Sequence, residues 1–256
     1  MKIAVLIKQV PDTEEDRHLA PSGSVDRSAS ERVADEITER ALEVALKEKD
    51  AAKGVEIVAV TMGPATATEA LRKALSMGAD SAIHIVDDSL AGSDALTTAK
   101  ALGAGLRDAN VDVIIAGNES TDGRGGVVPA MLAELLGLPF LGPLNTVEFT
   151  GSSVRGERQN AECTQELAAA LPAVLSITER TGEARFPKFK GIMTAKRKPV
   201  AVYKAADLGL GGINHSVGNL VLGANKRPAR GAGTKIVDDG NAAARLADYL
   251  STENLI

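Results

Sequence analysis

Four apolar runs constrain what this 256-residue chain can fold into: KIAVLIK (residues 2–8), VEIVAVTMG (55–63), SAIHIV (81–86) and VDVIIAG (111–117). Each has the length of a strand, and each is followed by a stretch with helical spacing. Between residues 29 and 51, ASERVADEITERALEVALKEKDA sets Val33, Ile37, Ala41, Val44 and Ala45 among charges, the pattern of an amphipathic helix. ATATEALRKALSMGA predicts a second helix closed by Gly78, and SDALTTAKALGAGLRDA a third. PAMLAELLG predicts a fourth, with Pro129 suited to its first turn. Strands that are apolar throughout and alternate with helices imply an α/β fold, a mostly parallel sheet covered by helices on both faces. Only 2% of residues are aromatic and none is Trp. The core must then be built from Ala, Val, Leu and Ile, which favours this layered fold over a β-sandwich.

After Pro143 the pattern changes. NTVEFTGSSVRGERQ reads as a hairpin around Gly151-Ser152, and ALPAVLSIT as another buried strand. Residues 184–198 are basic and irregular, an exposed loop on composition. From Leu208 the chain is rich in Gly and Asn until a last short helix at AAARLADYL. The expected division is therefore an α/β domain over 1–207 and an extension over 208–256, which has little core of its own and lies against another surface, of this chain or of another.

Several classes fall away on composition. A net charge of -5 gives no general attraction to nucleic acid. The apolar runs reach about eight residues where roughly 20 are needed to span a bilayer, so no membrane insertion is expected. MKIAVLIKQV is followed at once by charge rather than by a small-residue cleavage site, and reads as a first strand and not as a leader. Cys163 is the single cysteine, which excludes an internal disulfide. A cytoplasmic protein is expected.

Ligands of open parallel sheets sit outside the carboxyl ends of the strands. Three turns fall there: Gln9 to Thr13, Thr61 to Ala65, and AGNESTDGRGGVV (116–128) with Gly123, Gly125 and Gly126. This third turn has no Lys after Gly126, so it is not a Walker A loop, and VPDTEED after the first strand carries no dinucleotide fingerprint. Backbone N–H groups at the start of the next helix can still hold an anion. A plain tight turn closing a βα unit is the other reading. His18, His84 and His215 lie in unrelated contexts, with His84 inside a strand, where a core role is commoner than ligation. Asp12 and Asp122 lie on ligand loops as backbone or ribose acceptors more readily than as bases. Binding therefore outranks catalysis, and no catalytic residue is assigned. The run Lys188, Lys190, Lys196, Arg197, Lys198 is either a solvated face or, with Phe189, Ile192 and Met193, a docking patch with an apolar anchor and a charged rim.

Taken in order, KQVPDT, VTMGPATATEALRKALSMGAD, VDVIIAGNESTDGRGGVVPAMLAELLGLP, LPAVLSITE and ARFPKFKGIMTAKRK resemble the β subunit of electron transfer flavoprotein, in its actinobacterial, FixA-like branch. The resemblance covers nearly the whole chain. It implies a Rossmann-like, adenine-nucleotide-binding domain whose C-terminal extension wraps a partner α subunit. It also implies one AMP held by this subunit, and FAD shared with the α subunit. The heterodimer would take electrons from acyl-CoA dehydrogenases and other flavin dehydrogenases and pass them to a membrane quinone oxidoreductase, a carrier without independent catalysis.

Carried over by position, the resemblance puts Leu6 at the end of the first strand and Met62 at the second turn. Asp35 falls near the adenosine, in place of the Asn of the family's Asn-Pro motif. The phosphate loop spans Ser120, Asp122, Gly123, Gly125, Gly126, Val127 and Val128. Relatives often have Asn-Gln-Thr where this chain has Gly126-Val127-Val128, so phosphate binding would lean on backbone N–H groups. Thr13 falls where the subunit approaches the flavin edge, and the altered stretch 159–163 faces it. Docking would rest on Phe189, where the family usually has Leu, with Lys188, Lys190, Ile192 and Met193 around it. Two alternatives stand beside AMP: a bifurcating-type subunit with a second FAD in the same pocket, and, in a different class, an adenine-nucleotide-hydrolysing or sensing protein.

Overall fold

The computed structural model describes residues 1–211, 221–225 and 227–256. They form two compact units, Met1–Val221 and Leu222–Ile256. In the first, β1 (Lys2–Leu6) leads through a small antiparallel ribbon, β2 (Gln9–Pro11) and β3 (Arg32–Ala34), into α1 (Glu36–Ala51). Then β4 (Glu56–Met62), α2 (Thr68–Met77), β5 (Ser81–Ile85), α3 (Ala95–Leu106), β6 (Val113–Gly117) and α4 (Val128–Leu136) alternate as the sequence predicts. β7 (Phe140–Leu144) follows, with an antiparallel sheet of β8 (Glu148–Thr150), β9 (Ser153–Gln159) and β10 (Thr164–Ala170). β11 (Ala173–Ile177), α5 (Phe189–Ala195) and β12 (Val200–Tyr203) complete the unit. The second unit carries α6 (Ala242–Thr252).

The main sheet has seven strands in the order β12-β5-β4-β1-β6-β11-β7, and every neighbouring pair is parallel. KIAVLIK thus supplies a central strand. Because side chains alternate across a strand, Ile3 and Val5 enter one core with Ala41 and Leu42 of α1 and Leu71 and Leu75 of α2. Ala4 and Leu6 enter the other with Leu102 of α3 and Leu132 of α4. Helices therefore cover both faces, which is why the strand runs are apolar without interruption. Each fully buried Leu or Ile contributes about 1.5–3 kcal/mol to this arrangement.

Helix ends follow local chemistry. Asp94 caps α3 by accepting from the Thr97 N–H at 2.7 Å, and α4 stops at Gly137, whose left-handed φ of 66° ordinary residues avoid. The hairpin falls at Gly151-Ser152, with Thr150 paired to Ser153.

Two expectations need correction. Val33 belongs to β3, not to the first helix: it pairs with Val10, and the helix begins only where the Asp35 carbonyl accepts from Thr38 and Glu39. The helical spacing of Val33 was accidental, because Gln9–Pro11 offers Arg32–Ala34 a strand partner that no local pattern reveals. Residues 184–198 are not a loop throughout, since α5 occupies Phe189–Ala195. Its Ala195 is buried and Gly191 lies directly on the Ser76 carbonyl of α2, so tertiary packing holds a helix too short to show amphipathic spacing.

Candidate functional site

The chain runs outward from β1 through β4 to β5, then returns to place β6 on the other side of β1. Connections after β1 and β6 consequently diverge to opposite faces, which opens a crevice at the carboxyl ends of these strands. A cleft of about 580 Å³ lies there, between Leu6 of β1, Met62 of β4, Gly117 of β6 and the first residues of α4. It extends across the sheet to Asp87 and Asp94, in the turn between β5 and α3.

One wall is the glycine loop. Gly126 has φ 66° and Arg124 φ 47°, so the chain turns sharply into α4. The cap residue Val127 has no side-chain acceptor, and the N–H groups of Gly125, Gly126, Val127 and Val128 have no acceptor among the described residues. Four orphan donors with the partial positive charge of a helix start make an anion cradle. Behind it, the Lys8 ammonium donates to Ser120 Oγ at 3.0 Å and to Asp122 Oδ1 at 2.7 Å, while Arg27 Nε donates to Asp122 Oδ2 at 2.7 Å. Burial works against charge on Asp122, but Lys8, Ser120 and Arg27 together outweigh it and hold the carboxyl far below the ordinary range.

Asp35 sits beneath the same loop, fully buried. Its Oδ2 accepts from the Thr121 N–H at 2.9 Å and from Thr121 Oγ1 at 3.3 Å, and its Oδ1 has no partner among the described residues. Burial raises its pKa, only partly offset by the Thr121 hydrogen bond.

A second feature stands on the α2 side of the domain. On α5, Phe189 is 80% exposed, with Met193 and Ile192 beside it and Phe186, 91% exposed, just before the helix. Arg185 anchors the approach: it donates to buried Glu43 through Nε at 2.7 Å and through a terminal nitrogen at 2.9 Å, and pairs with Asp50 at 2.8 Å. Lys198 anchors the exit, its ammonium capping α2 through the Leu75 and Ala79 carbonyls at 2.8 and 2.5 Å. It is therefore no part of a solvated basic run, as its neighbours are. Lys188 and Lys190 are exposed around Phe189.

Residues 22–208 match the electron transfer flavoprotein domain. The chain belongs to the electron transfer flavoprotein family. It is 47% identical to the electron transfer flavoprotein subunit beta of Mycobacterium tuberculosis and to that of Mycobacterium leprae, over 99% of each chain. It is 30% identical, over the full length of both, to the CarD subunit of the caffeyl-CoA reductase-Etf complex of Acetobacterium woodii.

In this chain, Leu6, Met62, Ser120, Gly123, Gly125, Gly126, Val127 and Val128 all line the cleft. Asp122 and Asp35 lie behind and below the loop, bonded to protein groups. Thr13 lies on an exposed turn after β2, outside the cleft lining. His84 is a core residue, with Thr68 and Gly63 on its two ring nitrogens and its pKa lowered by burial. His215 lies outside the described residues. The sequence reading missed Lys8 and Arg27. Lys8 lies two residues past the first strand, a position that faces the ligand crevice, and that was the available signal. Arg27 meets Asp122 across 95 positions, and nothing local announces it.

Proposed function

We propose that the chain is the nucleotide-holding β subunit of a two-chain electron carrier, with AMP in the cleft and an FAD-bearing α subunit as its partner. The observation that carries the nucleotide reading is the row of orphan N–H groups at the start of α4, backed by Lys8, at the sheet's switch point. These groups suit a phosphate of AMP, and Leu6 and Met62 suit an apolar base. Asp35 contributes by holding Thr121, and so the loop, in place. FAD would supply the one-electron chemistry of the assembly. This chain's own part is to fix the nucleotide, build the interface through residues 208–256, and present α5.

In the same reading Phe189 is the anchor for acyl-CoA dehydrogenases and related flavin dehydrogenases, with Lys188, Lys190, Ile192 and Met193 as its rim. Electrons leave to a membrane quinone oxidoreductase. Among the described residues no helix is long and apolar enough to cross a membrane, and a cytoplasmic place for the carrier fits that chemistry.

A specific observation favours a second reading: the cleft continues to the Asp87–Asp94 turn, beyond a single phosphate cradle, and so offers length for a second FAD. Co-expression with the α subunit, denaturation and quantitation of the released nucleotides tests both. One AMP and one FAD per heterodimer is the expected result. Two flavins and no AMP would establish the second reading, and ATP turnover by the purified chain alone would overturn both.

A further inference from the structure

The charges around the cleft are not those of a general phosphate site. Two cations line it, Lys8 and Arg27, against four carboxylates, Asp87, Asp88, Asp94 and Glu119. Both cations converge on one further acid, Asp122, whose side chain is fully buried. Lys8 and Arg27 of the cleft lining, less Asp122, thus leave a single net positive charge, to which the α4 N-terminus adds about half a charge, while Arg124 of the same loop is exposed and outside the lining. The carboxylates of the β5–α3 turn stand three strand positions from β6, about 14 Å away at ordinary strand spacing.

Charge balance then decides what fits. A nucleoside monophosphate brings about 1.5–2 negative charges at neutral pH, which the cradle nearly matches. Each added phosphate brings about one more, with Asp122 beside it, Glu119 at the rim and the carboxylates of the β5–α3 turn across the cleft. No further cation lines the cleft among the described residues. We propose that Asp122 is a specificity-determining residue: by taking up Lys8 and Arg27 it sets the positive charge of the cleft at a level suited to one phosphate group, and so turns away nucleoside di- and triphosphates. Ribose hydroxyls, as donors, are compatible with the acidic far end, where phosphates are not. The inference rests on the nucleotide reading above.

Asp122→Asn separates a charge filter from a loop brace, because Asn keeps the shape and an acceptor oxygen while freeing one unit of positive charge. The heterodimer, co-expressed with its α subunit, is stripped of nucleotide and reconstituted in equimolar AMP, ADP and ATP. Retained nucleotides are then separated by ion exchange after denaturation. The wild type is expected to retain AMP in preference, and the variant to raise the ADP-to-AMP ratio about tenfold or more, as a unit charge several ångströms from a phosphate would. Added salt should shrink that change. Arg27→Gln, which removes a cation at the rim, should lower the ratio further, and it keeps the test open if the first variant fails to assemble. Ratios unchanged in both variants, with AMP still retained, would overturn the filter and leave the AMP reading standing. A wild type that retains only FAD would overturn the AMP reading itself.

Discussion

Gly191→Ala is the sharpest probe of the proposed docking helix. A Cβ at this position would stand 2.1 Å from the Ser76 carbonyl oxygen and 3.2 Å from its carbon. Real Cβ contacts stop near 3.0 Å, so the backbones must separate from 2.1 to at least 3.0 Å, an opening of about 0.9 Å. Neither neighbour is a flexible tip that can swing aside. The helix is also fixed on both flanks, by Arg185 on Glu43 and by Lys198 on the end of α2, so it must tilt between two anchors. Overpacking of this kind costs about 1–3 kcal/mol, and α5 is peripheral, so the cost falls on its own seating. Phe189, two residues earlier, moves with it. Steady-state reduction of the heterodimer by an acyl-CoA dehydrogenase should show KM raised about tenfold, the equivalent of 1.4 kcal/mol, with kcat and flavin content retained. A KM equal to that of the wild type would refute the reasoning, since the clash follows from the backbone and leaves no route of escape.

Three further outcomes follow from the same geometry. Phe189→Ala removes an exposed anchor of the kind worth about 2 kcal/mol or more in interfaces; electron transfer from the dehydrogenase should slow while the heterodimer elutes intact on size exclusion, and an unchanged rate would remove the docking role. Gly126→Asp meets no close neighbour, the nearest being the Asn118 carbonyl at 3.8 Å, and Asp tolerates the left-handed φ of 66° better than most residues, at some strain, but it sets a carboxylate against the proposed phosphate; purified heterodimer should lack AMP, and AMP retained at full stoichiometry would refute the loop placement. Asp35 is protonated more readily in the folded chain than in the unfolded one, because burial raises its pKa above the ordinary 3.8. Folding therefore takes up a proton between that value and the raised one, and this group's contribution to stability is present at low pH and lost as pH rises through the window. Asp35→Asn should flatten the dependence of Tm on pH above the ordinary carboxylate range; parallel profiles for the two proteins would exclude Asp35 as the titrating group.

Local pattern carried the fold where burial is two-sided. The runs around Ile3, Ile57, Ile83 and Ile115 read as parallel strands because both faces of each are covered, and the helices between them show their spacing plainly. It failed where a partner distant in sequence decides the structure: Arg32–Ala34 becomes a strand because of Gln9–Pro11, and Phe189–Ala195 a helix because of α2. The same division applies to the cleft. Gly123 to Val128 announce themselves by composition and by their place after a strand. Lys8 and Arg27 do not, since their meaning lies in Asp122, 114 and 95 positions away. Asp35 was legible as a position of interest, but its partner, the Thr121 N–H of the loop, required the fold.

One helix joins the two features described above. α2 begins just beyond the Met62–Pro64 turn that lines the cleft, and its final carbonyls receive Gly191 and Lys198 at the seat of α5. Ten residues of helix make a rod about 15 Å long, pinned along its length by buried Leu71 and Leu75. A rod this short, held by packing more than by its own propensity, does not melt by halves. The proposed nucleotide cleft and the proposed docking helix, at opposite ends of the domain's flank, therefore share a single point of failure.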